Sequence, residues 1–194
     1  MNEKIHYKEN PFIAVKTGPK ADHYMYSERK GIDSVAFIIQ TTDDFYILTQ
    51  ERKPPMDARI NENIPGIIYN SDDEAFIVTA FGGSNDRIPV EEYIDLKEVE
   101  KISLFKDIVK DEAIEEAGYV INTDDVRFLG KEFVSTQSNQ LCYLFLVDAR
   151  NSKVVERQPE NEMEAQAENV VYTSDYIRNS IDWKSKSILF RMGV

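Results

Sequence analysis

The chain has 194 residues, 42% hydrophobic and 30% charged, with a formal net charge of −12. Such an acidic balance argues against duplex nucleic-acid binding, which needs a Lys/Arg-rich surface. The apolar content supports a packed core and excludes a disordered acidic chain. No apolar run nears the ~18 residues of a membrane span, and no apolar leader pattern opens the chain. A soluble, cytoplasmic protein without a membrane partner is therefore expected.

In chain order, residues 1–31 are mixed polar and aromatic and read as an N-terminal arm or edge strands, ahead of a main domain at 32–194. Ser34 to Gln40 and Phe45 to Gln50 are apolar runs around Thr41-Thr42-Asp43-Asp44, which predicts a hairpin. Pro54-Pro55 ends the second strand because proline cannot donate to a ladder. Ala75 to Phe81 predicts another strand, closed by Gly82-Gly83. Residues 56–74 and 84–102 read as insertions, the latter as a polar loop. A helix is predicted from Leu104 to Ala117, with Ser103 as N-cap and Gly118 as its stop. Val126 to Val134, Leu141 to Val147 and Asn169 to Thr173 are further strands, Glu156 to Glu168 an acidic loop, and a helix from Ser174 or Ser185 closes the chain. These elements predict an α/β sandwich of mixed sheet and helices. Cys142 lies inside an apolar strand and reads as a buried thiol, while His6 and His23 have no partner nearby in sequence.

The chemistry concentrates in KDEAIEEAGYV, residues 110–120. At ~100° per residue, Leu104, Phe105, Ile108 and Val109 define an apolar face. Glu112, Glu115 and Glu116 continue that face, whereas Lys106, Lys110 and Ala117 point away. Unpaired carboxylates on an inward face are expensive, so they call for cations. Lys and Arg are sparse in the adjoining strands, which leaves Mg²⁺ or Mn²⁺ bridging a substrate's phosphates.

Gly82-Gly83 followed by a helix carrying DEAIEEAGY at 111–119 resembles the Nudix hydrolase box, G-x5-E-x7-R-E-U-x-E-E-x-G-U. Glu112, Glu115, Glu116, Gly118 and Tyr119 match its second half. Gly83 resembles the opening glycine across about fourteen extra residues, while Asp111 stands at the arginine position and Ser103 at the upstream glutamate position. TQERKPP at 49–55, the two strands across 128–149, and the acidic loop, strand and helix that follow resemble the ADP-ribose pyrophosphatase-like branch.

The resemblance implies a Nudix-like α/β/α sandwich with a loop-helix-loop metal site, hydrolysing a nucleoside diphosphate linked to another moiety. ADP-ribose or a related nucleotide sugar is the first small-molecule substrate to test, and a homodimer is expected. It implies Glu112, Glu115 and Glu116 as metal ligands, with Glu115, Glu116 and Glu162 catalytic. The loop base stays open among Glu160, Glu162 and Glu164. Arg52 and Gly83 are the implied substrate contacts, and Phe81, an aromatic beside Gly82-Gly83, is a candidate to stack on a base. The alternative is a catalytically weak Nudix-fold protein that senses a nucleotide, a reading favoured by Asp111 and Ser103.

Overall fold

The structure, a computed structural model, describes residues 4–7, 13–18, 21–29, 33–62, 64, 66–85, 87–136 and 138–194. Strands β1 (Lys4–Tyr7), β2 (Ile13–Gly18) and β3 (Ala21–Arg29) form an antiparallel sheet in that order. Its backbone meets the rest of the chain at a bridge between Ser27 and Ser138.

The hairpin expected around residues 41–44 is present as β4 (Ser34–Gln40) and β5 (Phe45–Arg52). Strands β6 (Ile67–Tyr69), β7 (Ala75–Thr79) and β8 (Phe81–Ser84) follow, then helices α1 (Val90–Asp95) and α2 (Glu98–Glu115). Next come β9 (Tyr119–Val120), β10 (Val126–Phe133), β11 (Leu141–Asp148), β12 (Lys153–Val154) and α3 (Glu162–Gln166). The chain closes with β13 (Glu168–Thr173), α4 (Ser174–Asn179) and α5 (Trp183–Met192). The main sheet runs β10-β11-β4-β5-β7-β6, with β13 added to β5 and β8 to β4. It is mixed, because β4 and β11 are parallel while the other pairings are antiparallel.

Apolar residues without a polar interval can be buried only when both faces of a sheet are covered. Strand alternation splits β4 accordingly: Val35, Phe37 and Ile39 face α2, while Ala36 and Ile38 face α5. In β11, Tyr143, Phe145 and Val147 join the α2 side, and Cys142, Leu144 and Leu146 the α5 side. The result is an α/β/α sandwich, as the sequence predicts. Phe105, Ile108, Val109 and Ala113 of α2 are buried, and each larger side chain contributes roughly 1.5–3 kcal/mol by burial.

One irregularity in the sheet makes room for a site. β4 and β5 pair only at Ile39–Ile47 and Gln40–Tyr46, then splay apart. Between them β7 follows β5 inward, the chain bends at Ala80, and β8 follows β4 outward. A second, shorter V is thus nested in the first. Its apex is held by Asp182, whose carboxylate accepts from Ala80 N at 2.9 Å while capping α5 through Ser185 N at 3.0 Å.

The segment at 84–102 is not a loop. It contains α1 and the first turn of α2, because Tyr93 is buried against Phe105 and donates to the buried Asp33 carboxylate. Helix α2 begins after Lys97, whose backbone N–H donates to Glu100 at 2.7 Å. Ser103 is therefore an exposed mid-helix residue rather than a cap. Ala117, expected to point outward, is buried because the chain has left helical phase by then. The acidic loop at 156–168 includes the short helix α3.

Candidate active site

The C-terminal half of α2 carries the acidic residues to the open end of the nested V. Glu112 and Glu116 lie one turn apart beside the buried stripe, so both are largely withdrawn from solvent. Glycine lets Glu112 lie against β8, since a Cβ on Gly83 would crowd Ile108 and displace the Glu112 Oε1 from its place. Gly118 ends the helical run at φ +74°, and a side chain there would strike the Val155 carbonyl.

The segment after β12 is then laced to the helix end. Val155 N donates to Gly118 O at 2.8 Å and Gln158 N to Glu115 O at 3.0 Å. From this segment Arg157 reaches across to donate to Ala167 O at 2.7 Å and Glu164 O at 2.8 Å. That clip sets α3 and Glu164 opposite Glu116.

Two lobes of one cleft meet here. The first, of about 200 Å³, is lined by Arg52, Arg157, Asn161 and Glu164; the second, of about 310 Å³, by Ser34, Gly83, Gln140 and Lys184. Both are also lined by Thr49, Glu51 and Glu116, which therefore stand at the junction. Thr49 and Glu51 are two apart on β5 and so share a face.

Burial, and then the neighbouring Glu116 and Glu115, push Glu112 up to about 8. Burial, followed by Glu164 and Glu51, pushes Glu116 up to about 8 as well, with the Arg157 charge opposing. Burial raises Glu115 too, with Glu160 and Asp111 adding to it. Neither the Glu112 nor the Glu116 carboxylate has a hydrogen-bond or ion-pair partner among the described residues. Acids of this kind withdrawn from water without partners are a signature of functional sites.

Among the described residues no three His, Cys, Asp or Glu side chains are gathered as a set for a metal ion. Mg²⁺ takes one or two protein carboxylates and completes its shell with water and substrate phosphates. Glu112 and Glu116, uncompensated and oxygen-bearing, suit such an ion.

The residues anticipated from sequence have different fates. Gly83 lines the second lobe and cradles Glu112. Arg52 lines the first lobe, but its guanidinium is engaged by Asp57 at 2.6 Å and Glu74 at 3.3 Å. Phe81, offered as a stacking surface for a base, is fully buried 5.2 Å from the Phe37 ring and has no open face. Glu162 is exposed in the first turn of α3, outside the cleft lining, where Glu164 stands instead. Asp111 pairs with Arg87, which also donates to Asp107 O at 3.2 Å. Sequence reasoning missed Glu51, Arg157 and Lys184. The Thr49–Glu51 alternation held a signal for Glu51; the other two depend on tertiary folding.

No protein-family model matches the sequence, and no curated protein does. Among solved structures the chain is similar to one described as "Crystal structure of ADP compounds hydrolase", with a TM-score of 0.61 and 13% identity. The match covers 100% of this chain and 90% of that one. At this identity the likeness shows the fold: the chain has a Nudix-like α/β/α architecture.

Proposed function

We propose that the protein is a Mg²⁺- or Mn²⁺-dependent pyrophosphohydrolase acting on a nucleoside diphosphate linked to another moiety. The observation that carries this reading is a pair of largely buried carboxylates without partners among the described residues: Glu116, at the junction of a two-lobed cleft, and Glu112, one turn before it and packed against Gly83 of the second lobe. A diphosphate at the junction would leave one arm of the substrate in each lobe. ADP-ribose and related nucleotide sugars are the first candidates, supported by the sequence resemblance and by the ADP compounds for which the structural neighbour is named.

Glu112 and Glu116 would hold the ion, and Glu115 would complete or orient the set. When bound, the ion supplies charge neutralisation on the phosphates and a more acidic water. Glu164 faces Glu116 from the clipped loop and would take the water's proton as the water oxygen attacks phosphorus, after releasing hydrogen bonds that its carboxylate accepts from Glu160 N at 2.7 Å and from the Asn161 amide. The bridging P–O bond breaks, and each half leaves as a phosphomonoester. The position of Glu164 supports it over Glu162 as the loop base.

The test is product release from ADP-ribose, NAD, dinucleoside polyphosphates and nucleoside triphosphates, each with Mg²⁺ and Mn²⁺, alongside Glu116→Gln. Turnover of one substrate that disappears in the variant supports hydrolysis. Silence throughout, with a nucleotide still raising the melting temperature, would replace it with a nucleotide sensor.

A further inference from the structure

The second lobe contains a cation to which hydrolysis assigns no task. Lys184 is the second residue of α5 and is only partly exposed. Among the described residues its ammonium has no hydrogen-bond or ion-pair partner. The carboxylates on adjoining elements are committed elsewhere. Asp182 accepts from Ala80 N, Ser185 N and Ser185 Oγ, the last at 2.5 Å. Glu132 is held by Arg191 at 2.9 Å and Ser187 at 3.0 Å. A cation in the first turn of a helix also opposes the helix dipole, so local structure gives no reason for this placement.

The lobe's chemistry narrows what would give one. Among the described residues no aromatic side chain lines it, so they offer no platform for stacking a base. Its walls carry the hydroxyls of Ser34, Thr49 and Ser84 and the amide-bearing Gln140. Lys184 supplies positive charge there, while Glu116 and Glu51 lie at the junction. At about 310 Å³ the lobe is at the small end of ligand pockets.

We propose that this lobe is a sugar-phosphate subsite in which Lys184 binds the phosphate of the non-nucleoside half of the substrate. The inference rests on the hydrolytic reading for its place in a reaction, but it concerns binding and can be tested without turnover. Ribose 5-phosphate and AMP, the two halves of hydrolysed ADP-ribose, serve as probes in calorimetric titrations with and without Mg²⁺.

Lys184→Met should weaken ribose 5-phosphate at least tenfold and leave AMP within about twofold, and Lys184→Arg should restore most of the loss. Its melting temperature should stay at or above wild type, because the residue stabilises no contact within the fold. The subsite is overturned if wild type binds no ribose 5-phosphate at millimolar concentration. It is equally overturned if Lys184→Met leaves that affinity intact or weakens both probes alike. Lys184-dependent binding in a protein inactive across the substrate panel would sink the hydrolytic reading and keep the subsite. Turnover with unchanged Lys184→Met binding would do the reverse.

Discussion

The two faces of the sheet carry acidic residues in opposite circumstances. On the α5 side, Asp182 is buried, and its oxygens accept from three backbone N–H groups and one hydroxyl at 2.5–3.4 Å. On the α2 side, Glu112 and Glu116 are only partly exposed, and their carboxylates accept nothing among the described residues. A carboxylate with satisfied oxygens can hold a fold together; one left without donors is a liability to the fold unless a ligand supplies the missing charge. The contrast separates structural acids from functional ones more sharply than burial does.

Substitution on each side should therefore have opposite signatures. Glu116→Gln is expected to lower kcat/KM by roughly three orders of magnitude, about 4 kcal/mol in the barrier, without lowering metal-free stability. Residual turnover within tenfold of wild type would remove Glu116 from the site. Asp182→Ala should cost about 2–3 kcal/mol in urea unfolding, since it strips the cap from α5 and leaves Ala80 N–H buried and unpaired. A loss under about 0.5 kcal/mol would show that Asp182 does not secure the bend.

Ligand and proton linkage sharpen the same difference. Mg²⁺ at a hundredfold excess over its dissociation constant should stabilise wild type by ~2.7 kcal/mol and leave Glu112→Gln/Glu116→Gln unmoved. Equal stabilisation of both would place the ion elsewhere. Without metal, Glu112 and Glu116 are raised from 4.5 to about 8 in the fold. A raised acid contributes its stability below the unfolded value and loses it as pH climbs through the folded one. The metal-free wild type should thus melt at lower temperature as pH rises from 4.5 to about 8, and the double glutamine variant should fall less. Parallel curves would assign the loss to other groups.

Much of this was legible from residue pattern. The apolar runs of β4 and β11 announce a sheet covered on both sides, and the phase of α2 puts Glu112 and Glu116 beside the core. What escaped depends on contacts that local pattern does not encode. The start of α2 was hidden because Lys97 is not a usual cap residue, whereas Ser103 is. Tyr93 looked like part of a polar insertion because its burial depends on Asp33, 60 residues away. The cleft arises where β4 and β5 separate, a register property, and Arg157 and Lys184 enter it from elements distant in sequence.

The smallest expected effect concerns Asp111, where the resemblance leads one to expect arginine. Arg87 supplies the guanidinium from outside the helix, and the two side chains are 33% and 54% exposed. Solvent at that level screens the attraction, so Arg87→Ala should cost only ~0.2–1 kcal/mol, diminishing in salt. Asp111→Arg would set two guanidiniums together and cost at least as much, while Arg87→Asp combined with Asp111→Arg should recover the pairing. A double-mutant cycle measured by urea unfolding reads the coupling directly. Recovery would mean that a cation pinning the segment after Gly83 to α2 matters more than which element provides it. Failure to recover would assign the role to Arg87 itself, through its second bond to the Asp107 carbonyl, a contact that an aspartate at position 87 cannot make.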